Sequence, residues 1–95
     1  KSREKAREVA NRIEATYILD VADVITDITH LRIIIKPDPK KLEQKGLTVA
    51  EIKKKLEKKL KMDVIEEDGN LIIQISPDEE KPYKKLMDTY DKLKK

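Results

Sequence analysis

The sequence has no cysteine, no tryptophan and no phenylalanine, a single histidine, and only two glycines. Without cysteine there can be no disulfide, no thiolate metal centre and no thiol nucleophile. One imidazole, His30, makes neither a zinc site nor a catalytic triad. With only Gly46 and Gly69, there is no glycine-rich cradle for a phosphate. Gly46 stands in no GxxG loop, which excludes a KH-type RNA module. Aromatics make up 3% of residues, too few to build a stacking platform for single strands. No apolar run approaches the roughly 20 residues of a membrane span, so no membrane partner is expected. The opening Lys1-Ser2-Arg3-Glu4-Lys5 has no apolar stretch behind it, so no secretory signal is expected. The first residue is Lys, from which we expect a piece excised from a longer chain.

What is present is charge. Of 95 residues, 43% are charged, yet 22 Lys and Arg against 19 Asp and Glu leave a formal net charge of only +3. So much charge raises the question of disorder, but 38% of the chain is apolar, including 12 Ile, in clean periodic blocks. The length suits one domain, residues 1–95. Abundant Lys and Glu with no Cys and two each of Asn, Gln and Met is the bias of proteins working at high temperature. A thermophilic source is therefore expected.

Residues 3–16 read as an amphipathic helix, with Ala6, Val9, Ala10, Ile13 and Tyr17 at helical spacing and Ser2 as its cap. A strand is expected at Ala22–Asp27. A clearer one follows, with Leu31, Ile33 and Ile35 on one face and Arg32, Ile34 and Lys36 on the other. Asp38-Pro39 starts a helical turn that closes at Gly46. Thr48-Val49-Ala50-Glu51 is a capping box with a Leu47–Ile52 staple, and its helix turns Val49, Ile52, Leu56 and Leu60 inward. Asp68-Gly69 between apolar runs is a hairpin turn. It pairs Glu67 with Asn70, Glu66 with Leu71, Val64 with Ile73 and Met62 with Ile75. Ser76 resembles a helix cap, but Pro82 cannot lie inside a helix, so we expect a turn at 77–81. The last helix then runs from Pro82 and buries Tyr83, Leu86, Met87, Tyr90 and Leu93. The order α-β-β-α-β-β-α predicts an α+β fold: a small antiparallel sheet of about four strands packed with three main helices.

The charge is unevenly placed. Residues 51–61 hold six Lys and two Glu, whereas residues 62–80 hold seven acids and no base. A lysine-lined helix can track phosphates without reading bases, which makes Lys53, Lys54, Lys55, Lys58 and Lys59 nucleic-acid-facing candidates. Its bland reading is a solvated helix face. Glu66-Glu67-Asp68 on a strand alternate between faces and do not converge on an ion. No nucleophile has a base beside it, so no catalytic residue, metal site or cofactor site is expected in this chain.

Glu4–Thr16 (EKAREVANRIEAT) is similar to the helix leading into the jaw of multisubunit RNA polymerases. Leu31–Asp38 (LRIIIKPD) and Lys41–Ile52 (KLEQKGLTVAEI) resemble that jaw's strand and following helix, and the hairpin Met62–Ser76 takes the matching place after them. The likeness is in particular to the archaeal A-double-prime subunit, the C-terminal part of the split largest subunit. It covers nearly the whole chain in order of elements. The chain departs from the eukaryotic version in having only a few residues, near Thr29-His30, between the first two strands. The resemblance implies a non-catalytic part of a cytoplasmic DNA-directed RNA polymerase, a nucleotidyltransferase working by a two-metal route. It places the metal-binding aspartates elsewhere in the largest subunit. It implies other polymerase subunits and the downstream DNA duplex as partners, with the jaw contacting or guiding DNA through phosphates. Two other readings use the same residues: a free-standing small basic RNA- or DNA-binding module, and a protein-docking module with its acidic hairpin and basic helix on different neighbours.

Overall fold

The structure, a computed structural model, describes residues 18–94; the expected helix at 3–16 lies outside them. A short helix, α1 (Ile18–Val21), leads directly into β1 (Ala22–Asp27) and β2 (Arg32–Pro37). Two helices follow, α2 (Pro39–Lys45) and α3 (Val49–Leu60), then the hairpin β3 (Ile65–Glu67) and β4 (Asn70–Gln74), and finally α4 (Pro82–Leu93). The strands form one antiparallel sheet in the order β1-β2-β4-β3. The expected α+β architecture is therefore found, with α1 as an unforeseen addition.

Side-chain alternation sorts the sheet into two faces. Ile33, Ile35, Leu71, Ile73 and Ile75 are buried on one of them. They form a single cluster with Leu42 of α2, Ile52, Leu56 and Leu60 of α3, and Leu86 and Leu93 of α4. All the helices thus cover the same face. The other face carries no helix among the described residues.

The expected punctuation is in place. Asp38 caps α2, its carboxylate accepting from the Lys40 N–H at 3.0 Å, with Pro39 at the first helical position. Gly46 closes α2 with φ 67°. Thr48 Oγ1 accepts from the Glu51 N–H at 3.2 Å, and the staple residues Leu47 and Ile52 are both buried. Pro82 opens α4. Ser76 organises the turn before it, its hydroxyl accepting from the Asp78 N–H, while the helix is flanked by Lys81, which makes no side-chain cap.

Three expectations are corrected. The strand β3 begins at Ile65, so the Val64–Ile73 and Met62–Ile75 pairs do not belong to a ladder. Lys61 in the left-handed region (φ 55°) ends α3, and the Val64 N–H is held by Glu57 Oε2 at 3.4 Å. The side chains nonetheless face as expected: Val64 is buried and Met62 packs on the core. Second, Tyr83 and Met87 of α4 are 60% and 46% exposed, and Thr89 is buried instead. The buried stripe runs Leu86–Thr89–Leu93 at spacings of three and four; Met87 lies about 100° round the helix from Leu86, and Tyr83 lies about 60° from Leu86 in the first turn, next to Pro82. The hydroxyl of Thr89 is satisfied by the Lys85 carbonyl at 2.7 Å. Third, Leu31 belongs to the turn rather than to β2, with φ 51°, although it still packs on the core.

The β1–β2 turn is held from two sides. The Asp27 carboxylate accepts from the His30 N–H (3.2 Å) and Arg32 Nε (3.0 Å) and meets His30 Nδ1 at 3.0 Å. From β4, Gln74 Nε2 donates to the carbonyls of His30 and Leu31, and the Ile75 N–H donates to Leu31 O at 2.8 Å. Partial burial pushes the Asp27 carboxyl up, but the hydrogen bonds from His30 and Arg32 outweigh it and hold its pKa below the ordinary 3.8.

A depressed acid stabilises the fold above its unfolded pKa and ceases to do so as pH falls through the lower folded value. The gap in melting temperature between the native protein and Asp27→Asn should therefore be widest near neutrality and close below pH 3.8. A gap that stays constant with pH would remove the carboxylate charge from the support of this turn. At the other hairpin, Asp68 (φ 52°) and Gly69 (φ 81°) both take positive φ, the type I′ geometry. A Cβ on Gly69 meets no atom within 4 Å, so substitution there is opposed by backbone strain alone. Gly69→Val should cost at least about 1–2 kcal/mol, and Gly69→Asn clearly less, since Asn tolerates this region. Thermal melting followed by circular dichroism checks both.

Candidate nucleic-acid interface

The lysine helix α3 is positioned by its apolar stripe. Ile52, Leu56 and Leu60 recur every four residues and are buried against the sheet. At 100° per residue, Lys54 lies about 200° from Ile52 and Lys58 about 200° from Leu56, so both stand on the far side of the helix. Both are exposed, and neither has an ion-pair partner among the described residues. The other candidates flank this ridge. Lys53 is half-buried and paired with Glu57 at 3.5 Å. Glu57 is itself tied to the Val64 backbone, so this pair lies along the side of the helix. Lys55 is half-buried and Lys59 exposed, and each is engaged in an interaction of its own.

The five candidates therefore share one helix but do not form one equivalent set. The fold adds an exposed lysine at the end of the helix. Lys61, the left-handed residue that follows the last helical position, Leu60, is exposed three residues beyond Lys58. Its spacing of three from Lys58 was the signal that could have found it. Lys58 and Lys59 in the last turn and Glu51 in the first also complement the helix dipole, which gives part of this charge pattern a local structural cause.

Opposite charge gathers elsewhere. Glu66, Glu67 and Asp68 at the β3–β4 tip are exposed, as are Asp78, Glu79 and Glu80 in the turn before α4. Among the described residues, no three His, Cys, Asp or Glu side chains are placed to hold a metal ion. A cleft of about 360 Å³ lies between Leu60 and Met62 on one side and Lys85, Thr89 and Lys92 on the other. No unpaired buried polar side chain among the described residues faces it. The arrangement is a row of solvated ammonium groups on a helix packed into the core, suited to phosphate contact. No described helix is long and apolar enough to cross a membrane.

No protein-family model matches the chain. The chain is 42% identical over 71 residues to the DNA-directed RNA polymerase subunit Rpo1C of Thermococcus gammatolerans. That match takes in 74% of the chain and 18% of the relative, so the chain spans less than a fifth of the relative's length. The part it resembles is thus one segment of a polymerase subunit.

Proposed function

We propose that this chain is the jaw portion of the largest subunit of a DNA-directed RNA polymerase, from its C-terminal part, and that it supports transcription without catalysing it. The observation that carries the reading is the 42% identity over 71 residues to a subunit of such an enzyme. The segment guides the downstream duplex by backbone contacts from α3, with Lys54 and Lys58 foremost and Lys53, Lys55 and Lys59 beside them. Lysine suits this task because an ammonium group is a point charge that meets a phosphate from many directions and carries no base preference. Scarce aromatics agree with a duplex rather than a single strand as the bound form. Its partners are the other polymerase subunits and the DNA; its place is the cytoplasm. The bias toward Lys and Glu supports a polymerase working at high temperature.

The test is charge reversal in the assembled polymerase. Lys54→Glu with Lys58→Glu should weaken retention of the downstream duplex. Each lost phosphate contact should also flatten the dependence of log affinity on log salt by about 0.9. An unchanged salt slope would take these lysines out of the DNA path.

A further inference from the structure

The face of the sheet that no described helix covers carries an apolar row. Ile25 pairs with Ile34, Ile34 with Ile72, and Ile72 with Ile65. The four isoleucines therefore line up across all four strands on the face opposite the core. Ile25 is 43% exposed and Ile65 54%, with Ile34 and Ile72 half-buried between them. An antiparallel sheet with one wet face alternates apolar and polar residues, whereas continuous apolar runs mark strands covered on both faces. Ile33-Ile34-Ile35 and Leu71-Ile72-Ile73 are such runs.

The surroundings of the row narrow what covers it. On one side Asp27 stands opposite Arg32, and on the other Asp23 stands opposite Lys36. Each basic residue faces an acid across the strands, so this surface offers no net positive field to a phosphate backbone. The row spans three inter-strand gaps of about 4.8 Å, roughly 14 Å, and is a single side chain deep. A footprint that narrow is far below the roughly 800 Å² per partner of a stable protein–protein interface. It does not hold two free copies together. It suits a contact between surfaces already joined in one assembly, where the entropy of association is not lost again. A length of 14 Å matches one stripe of a helix of about nine or ten residues.

We infer that the isoleucine row is a docking surface for the apolar stripe of an amphipathic helix supplied by the surrounding polymerase polypeptide. The inference rests on the proposed function, because it needs a larger assembly to supply the helix. Docking there anchors the segment by the face opposite to its lysine ridge.

The test places a photo-crosslinking side chain on the row in the full-length subunit, as Ile34→p-benzoylphenylalanine and separately Ile72→p-benzoylphenylalanine, and maps the products from purified polymerase by mass spectrometry. Both positions should cross-link to one protein segment, at residues spaced three and four apart. A subunit that never copurifies with polymerase activity would overturn the proposed function and this inference together. A subunit that copurifies but gives no cross-link, or cross-links only to DNA, would overturn the inference alone. Cross-links to a second copy of the same segment would overturn it in favour of self-association. Ile25→p-benzoylphenylalanine, at a more exposed position, should give the same segment and guards against loss of folding at the two inner sites.

Discussion

The pairing of β2 with β4 is the constraint on which the rest depends. Each hairpin is specified locally by its own turn, but only the register Ile33↔Ile73 and Ile35↔Leu71 joins the two into one sheet. That register sets four fully buried apolar side chains side by side beneath the helices. A chain that is 43% charged has little other apolar material with which to offset the entropy of folding. A slip of one residue in either strand would turn its half of this set outward and bring isoleucines from the other face inward. Because isoleucine also occupies positions 34 and 72, the sheet-face pattern alone guards poorly against such a slip. The long-range hydrogen bonds from Gln74 and Ile75 to the His30–Leu31 turn supply a second lock. They tie the end of β4 to one position on the opposing hairpin.

Legibility in the sequence follows the range of the forces involved. Caps and tight turns are decided by neighbours within four residues. For that reason Asp38, Gly46, Thr48, Asp68-Gly69 and Pro82 all do in the structure what their spacing implied. The start of β3 was not legible in the same way. Met62 and Val64 alternate as a strand should, but the left-handed Lys61 and the Glu57 side chain redirect their backbone. Helix α4 shows a related limit. An apolar residue is helical evidence wherever it falls, yet Met87 sits one step round from the buried stripe and Tyr83 sits exposed in the first turn. The small, polar Thr89 fits the interior because its hydroxyl bonds back to its own helix.

For the candidate interface, the sequence names the lysines and the fold sorts them. Composition pointed to the lysines of α3, but only the buried stripe decides which of them face outward. Ile52, Leu56 and Leu60 do so by placing Lys54 and Lys58 on the ridge and Lys53 beside Glu57. A helix carrying five lysines, with a sixth at its cap, is tolerable because its other faces are solvated, where screening keeps like charges cheap. The same solvation leaves Lys54 and Lys58 as point charges suited to following a phosphate backbone and unsuited to reading bases.

The two surfaces assigned to this segment are opposite each other, and each gives the other its direction. The helix α3 buries one stripe on the sheet, so its lysine ridge points away from the sheet. The isoleucine row lies on the sheet's far side. An isolated lysine ridge with a net molecular charge of +3 has little to orient it toward a duplex. A body anchored through the isoleucine row has its ridge aimed in a single direction, and the antiparallel sheet between them is a stiff spacer. In the proposed polymerase setting, a few phosphate contacts then suffice to guide DNA, since the assembly has already restricted where the lysines can be. Weak, non-specific contact suits the proposed role, because a duplex that must advance cannot be held tightly at any one register.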